Sequence, residues 1–247
     1  MRRSNKLAIF LMAEHPSPLA QRSTIIDLRA AHLTLGIAAA SVNILKGIDL
    51  QIRSGETVSI LGPSGAGKTS LLMVMAGLEH LTKGRILLTG TDITTMDEDP
   101  LATLRRDMVG IIFQAFRLIP SLTAVQNVGI PLELAGRNDA TDVATAALKS
   151  VGLGHRLTHL PDQMSGGEQQ RVAIARAVAP NPRIILADEP TGNLDSATGE
   201  KVMNILFRIA HDAGAALVLV THDAALAARC SRVIEIEDGI IAKDIKQ

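Results

Sequence analysis

The sequence predicts an α/β fold, a parallel sheet with helices packed between its strands, and three observations carry that prediction. After a short β-prone run at residues 57–61, apolar runs at 183–187 and 216–220 lack polar alternation, the pattern of strands buried on both faces. A helix-like stretch at 197–213 separates the last two runs, and such alternation of strand and helix builds a βαβ core. A glycine-rich loop follows the first run and leads into a helix-forming stretch at 70–76.

Taken from the amino terminus, residues 1–24 read as a loosely held extension, with Pro16 and Pro18 interrupting any regular element. Arg2, Arg3 and Lys6 before the apolar residues 7–13 imitate a signal peptide, but that stretch is at the short limit and Glu14-His15-Pro16 follows it. Folded structure is expected from about Ile25 to residue 247 as one domain. Short β-prone runs at 25–28 and 57–61 are divided by turn residues such as Ser54-Gly55, and another at 85–89 lies between Gly84 and Gly90. Residues from about 97 to 175 are richer in helical periodicity, for example 141–151 ending at Gly152, and read as a helical subdomain inserted in the core.

Composition narrows the class. With 47% hydrophobic residues over 247 positions, the chain can bury a substantial core. Lys plus Arg and Asp plus Glu number 25 each, so no overall basic field favours nucleic acid as a partner. A single cysteine, Cys230, excludes an internal disulfide framework and the usual zinc clusters. No apolar run approaches the roughly 20 residues of a bilayer-spanning helix.

Gly62-Pro63-Ser64-Gly65-Ala66-Gly67-Lys68-Thr69 fits G-x-x-x-x-G-K-[ST] between a predicted strand and a predicted helix. Its glycines let backbone N–H groups turn inward around phosphate oxygens, and the helix that takes in Ser70 adds its positive end. Lys68 would neutralise β/γ-phosphate charge and Thr69 would ligate Mg²⁺. The apolar strand ending at Ala187 delivers Asp188 and Glu189 to its carboxyl end, where parallel sheets place their ligand crevice. Asp188 is placed to hold Mg²⁺, and Glu189 to accept a proton from an attacking water. Ser165-Gly166-Gly167-Glu168-Gln169 opens a helix-forming stretch at 168–178, so its hydroxyl and amides can donate to an anion.

The string from Ser165 to Gln169, lying between the loop at 62–69 and Asp188-Glu189, resembles the signature motif of ATP-binding cassette proteins. That resemblance runs from about Ile25 to the carboxyl terminus. It implies a P-loop NTPase (RecA-like) parallel-sheet core with an N-terminal antiparallel β subdomain and the helical insert. It further implies ATP and Mg²⁺ as cofactors and a head-to-tail homodimer, in which Ser165, Gly166, Gly167, Glu168 and Gln169 meet ATP held by the other subunit. Gln114 after the strand-like residues 108–113, Asp195 in Gly192-Asn193-Leu194-Asp195 and His222 after the run 216–220 match the family in order. By likeness, Gln114 senses Mg²⁺ and the attacking water, Asp195 acts across the dimer, and His222 contacts the γ-phosphate; Glu189, His222 and Gln114 form the catalytic set.

Many family members stack adenine on an aromatic residue upstream of the loop, whereas this chain has no Tyr or Trp and alignment back from Ile44-Leu45 puts Leu35 there. Residues 113–127 and 187–195 resemble the bacterial lipoprotein-release and macrolide-export group, and the tail around Thr221-His222-Asp223 and residues 226–230 resembles its YbbA type. The likeness implies an integral membrane permease as partner, contacted through residues 116–128. It places the subunit on the cytoplasmic face of the inner membrane, powering export or extraction of a hydrophobic or lipid-like substrate. A cell-division-type regulator without transport, a non-hydrolysing ATP-gated binding module and a small-molecule P-loop kinase stay open as alternatives.

Overall fold

The computed structural model describes residues 23–36 and 41–247 of the chain. Residues 1–22 of the extension read at 1–24, and residues 37–40, therefore lie outside the described residues. In chain order the first half comprises β1 (Thr24–Leu35), β2 (Val42–Arg53), β3 (Thr57–Leu61), α1 (Lys68–Met75), β4 (Lys83–Leu88), β5 (Thr91–Asp92), α2 (Glu98–Met108) and β6 (Val109–Ile112). The second half comprises α3 (Ala124–Leu134), α4 (Ala140–Ser150), α5 (Gly166–Val178), β7 (Ile184–Asp188), α6 (Ser196–Asp212), β8 (Ala216–Val220), α7 (Ala224–Ala227), β9 (Arg232–Glu237) and β10 (Ile240–Lys246).

Two sheets organise these elements. The larger has six strands in the order β10-β9-β3-β8-β7-β6, with β6, β7, β8, β3 and β9 running parallel and β10 returning antiparallel. The smaller, β2-β1-β4-β5, is antiparallel throughout, as the resemblance implies. A main-chain bond from Lys46 N to Gly239 O, 2.9 Å, ties β2 to the turn between β9 and β10.

The unbroken apolar runs follow from burial on both faces. Ile184 and Leu186 of β7 pack into a core shared with β1, β2 and α1, while Ile185 and Ala187 pack into a second core with α3, α4, α5 and α6. β8 divides the same way, Ala216, Val218 and Val220 toward the first core and Leu217 and Leu219 toward the second. Two interiors leave no polar side to alternate with.

Residues 97–175 are not uniformly helical. β6 pairs with β7 from Val109↔Ile184 to Ile112↔Ala187, so this part of the stretch belongs to the large sheet, and α3, α4 and α5 come after it. The run 25–28 is only the start of β1, which continues to Leu35 through irregular register against β2 with Ala30 at φ 44. Bulges of this kind carry a long strand over a curved core but blur its period-2 pattern. Among the described residues, no helix is long and apolar enough to cross a membrane.

Candidate nucleotide site

The loop at 62–69 leaves β3 and enters α1 through Gly67, which has φ 98 and no side-chain cap after it. A side chain at Gly67 would meet the Ile44 carbonyl at 2.9 Å, and φ in this region is ordinarily open only to glycine. The first amides of α1 are thus presented without a capping side chain, the arrangement that suits an anion. Lys68 is 8% exposed and its Nζ donates to the carbonyls of Gly62 and Pro63, each at 2.8 Å. The loop's own carbonyls thereby hold the ammonium across its mouth.

Parallel pairing brings the other side chains to the same edge. Asp188 is in register with Val220, and Glu189 N donates to the Val220 carbonyl at 2.9 Å. Thr69 Oγ1 donates to Asp188 Oδ1 at 3.2 Å, and His222 Nδ1 lies 3.3 Å from Glu189 Oε1. Glu189 has φ 43, a left-handed backbone that turns its carboxylate out of the strand line. Burial pushes the Asp188 carboxyl above its usual value and the neighbouring Glu189 adds to this, against the Thr69 hydroxyl, Lys68 and Arg117, which lower it.

A cleft of about 460 Å³ takes in Gly62, Ser64, Gly65, Gly67, Lys68, Thr69, Ser70, Glu189 and His222 of the predicted set. Pro63 and Ala66 shape the loop without lining it, and Ala66 is buried. Leu35 is not brought to the cleft: it sits at the end of β1 paired with Val42, 39% exposed, and the lining contributed by this sheet is Ile44. The reason is the β1–β2 hairpin, which carries Leu35 to its far end while β2 crosses over Gly67.

Gln114 stands just past the end of β6, beside β7. Its carbonyl accepts from Asn193 Nδ2 at 2.9 Å, and a side chain at Gly192 would lie 2.6 Å from its Nε2. Downstream, Phe116 and Arg117 both have positive φ, and Arg176 of α5 donates to their carbonyls at 2.9 and 2.6 Å. Arg117 in turn stacks over the Phe113 ring at 4.3 Å.

Ser165 caps α5 in a capping box with Glu168. Glu168 Oε2 accepts from Ser165 N at 2.9 Å and from Ser165 Oγ at 3.0 Å, and Oε1 accepts from Arg156 Nε at 2.9 Å. Gln169 Nε2 donates to the Met164 carbonyl. Gly167 abuts Thr198, where an added Cβ would approach to 2.4 Å, and Asp195 caps α6 through Thr198 N at 3.0 Å. Neither Asp195 nor any residue from Ser165 to Gln169 lines the cleft of the single chain.

Mg²⁺ prefers hard oxygen ligands, usually one or two from protein with the rest from phosphate and water. The Thr69 hydroxyl and Asp188 carboxylate, 3.2 Å apart at the cleft edge, match that donor set. Among the described residues no cluster of three or more His, Cys, Asp or Glu offers a closed protein cage instead. Ile44, Arg156, Arg176 and Gly192 were not marked by sequence reasoning. Gly192 and Asn193 lie inside a quoted motif, but their grip on Gln114 is a contact between distant segments and leaves no local pattern.

The family model described as ABC transporter matches residues 45–192, more than half of the chain. The uncharacterized ABC transporter ATP-binding protein YbbA of Escherichia coli is 43% identical over 222 residues, covering 89% of this chain and 97% of that protein. The lipoprotein-releasing system ATP-binding protein LolD of Shewanella denitrificans is 45% identical over 221 residues, covering 89% of this chain and 95% of LolD. Among solved structures, a dimeric post-hydrolysis state of the ATP-binding cassette MJ0796 bound to ADP and Pi superposes with TM-score 0.84 at 40% identity, over 90% of this chain and 98% of that one. Matches of this extent, on a chain whose glycine-rich loop and acidic strand end meet at one cleft, show that it belongs to the ABC transporter family as an ATP-binding cassette.

Proposed function

We propose that this chain is the ATP-hydrolysing subunit of a transporter, closing on ATP as a homodimer to drive a separate integral membrane permease that exports or extracts a hydrophobic or lipid-like substrate. It would sit peripherally on the cytoplasmic face of the inner membrane through that permease. The observation that carries this reading is the split of the site. Lys68, Thr69, Glu189 and His222 share one cleft, while the donors at Ser165 to Gly167 lie away from it on the same chain. A second copy, turned head to tail, would supply them.

Within that site the amides opening α1 and Lys68 would hold the phosphates, Lys68 exchanging two backbone carbonyls for phosphate oxygens. Thr69 and Asp188 would hold Mg²⁺, with Gln114 approaching once the ATP is bound; the ion would neutralise charge on the β- and γ-phosphate oxygens. Glu189, aimed outward by its backbone and partnered by His222, would orient the attacking water and take its proton. His222, 71% exposed at its side chain, is free to reach the γ-phosphate. Ser165 to Gly167 and Asp195 of the facing subunit would stabilise charge on the transferring phosphoryl group. ATP acts by preferring the closed pair, and turnover releases it.

The helical subdomain would be the moving part. The motion would begin after Gln114 and carry α3 and α4. The names of similar proteins support the branch, since LolD is a lipoprotein-releasing system component.

A tagged Glu189→Gln form, trapped with ATP in the native cell, tests the reading by what co-purifies from detergent-solubilised membranes. A permease with a large extracytoplasmic part is expected. Recovery of only soluble or division-machinery proteins would leave the cassette assignment standing and remove the transporter role.

A further inference from the structure

Glu168 places a full negative charge in the first turn of the helix whose donors are proposed to meet the γ-phosphate of the partner's ATP. A helix N-terminus carries roughly +0.5 elementary charge. Glu168 alone would turn that end to about −0.5, the wrong sign for a phosphate. The structure shows what offsets it. Arg156 Nε donates to Glu168 Oε1 at 2.9 Å, and the two side chains are 33% and 13% exposed. The guanidinium is held in turn by His159, whose Nε2 lies 3.0 Å from Arg156 Nη1. With Arg156 in place the end returns to about +0.5.

We propose that Arg156 is a positioning residue for the trans phosphate contact: it cancels the Glu168 charge so that the Ser165 end of α5 attracts ATP held by the other subunit. The same ion pair orients the cap. Glu168 Oε2 takes both the Ser165 amide and the Ser165 hydroxyl, so the hydroxyl proton is engaged by the carboxylate before any phosphate arrives. Arg156, by drawing on Oε1, weakens Oε2 as an acceptor and eases the turn of that hydroxyl toward phosphate. This inference rests on the proposed ATP-sandwich dimer and adds a residue to it that no motif marks.

The test is ATP-driven dimerisation of the full chain, followed by light scattering on a Glu189→Gln background so that hydrolysis does not dissolve the pair. Arg156→Gln should weaken dimerisation about ten-fold, the range of a full charge beside a helix end, and the loss should shrink as salt is raised. Adding Glu168→Gln to Arg156→Gln should restore most of it, because the amide still caps Ser165 and carries no charge. Arg156→Lys, which retains the charge, should stay within about three-fold of the parent and serves if Arg156→Gln folds poorly. Weakening that Glu168→Gln does not relieve would make Arg156 a merely structural residue and overturn the proposal. Unchanged dimerisation in Arg156→Gln would overturn it as well. If the Glu189→Gln parent itself fails to dimerise with ATP, the sandwich reading fails and this inference falls with it.

Discussion

Gly192→Ala should cripple turnover without unfolding the protein. An added Cβ at this position would lie 2.6 Å from Gln114 Nε2, 3.2 Å from its Cδ and 3.3 Å from its Cγ. Ordinary contact begins near 3.4 Å, so the Gln114 amide must retreat by about 1 Å, and the atoms it meets are the end of a flexible side chain. Gly192 is outside the left-handed region, so alanine adds no backbone strain there. The stability cost is therefore expected within about 1 kcal/mol, with the structural burden falling on Gln114 alone. A misplacement of about 1 Å near the reacting atoms can cost on the order of 100-fold. Steady-state phosphate release should fall by roughly that factor, while the melting temperature and nucleotide affinity stay close to the parent. Gln114→Ala should show a similar loss, and combining the two should add little, because both remove one function. Full activity in Gly192→Ala, or a loss that adds fully to that of Gln114→Ala, would refute the placement of Gln114 at the reaction.

Glu189→Gln should retain ATP binding and lose about 100-fold to 10,000-fold in turnover, as removal of a general base does; unchanged phosphate release would remove Glu189 from that role. Gln170 is fully buried on α5, and neither its Oε1 nor its Nε2 has a hydrogen-bond partner among the described residues. Gln170→Met should therefore stabilise the fold by about 1 kcal/mol, a rise of roughly 2–4 °C in melting temperature, and a fall by that much would show that the amide is satisfied in solution. Asp92 is held at about 2, below its ordinary 3.8, chiefly by the Thr94 hydroxyl and amide with Arg85. A depressed carboxylate contributes stability above its unfolded value and loses it as pH falls toward the folded one, so Asp92→Asn should flatten the pH dependence of unfolding between about 4 and 2. Among the described residues the cleft lining includes aliphatic Ile44 and no aromatic ring, so ATP should be preferred over GTP only weakly; strong preference at low micromolar affinity would contradict this.

The residues proposed to touch phosphate were legible in order along the chain because their chemistry is local. A glycine-rich turn between strand and helix has to be contiguous to curl around an anion, and an acidic pair has to end its strand to reach the crevice. Lys68, Thr69, Asp188, Glu189 and His222 accordingly meet where parallel strands end. The doubly buried strands β7 and β8 announced themselves for the same reason, since an apolar run needs no partner to be seen.

Contacts between segments distant in sequence were decided only by the tertiary structure. Ile44 rather than Leu35 lines the cleft because the hairpin of β1 and β2 sets which residue crosses Gly67. The stretch 97–175, read as a helical insert, contains the strand-like residues 108–113, and only the pairing with β7 shows that β6 within them belongs to the large sheet. Asn193 and Gly192 hold Gln114, Arg176 ties Phe116 and Arg117 to α5, and Arg156 neutralises Glu168. Long, polar side chains reach such partners in many directions, and sequence spacing records none of them. By itself the sequence determined the chemistry of the nucleotide site and the class of the fold; the folded chain decided which neighbours aim and charge that chemistry, because aim depends on packing between elements that the sequence keeps apart.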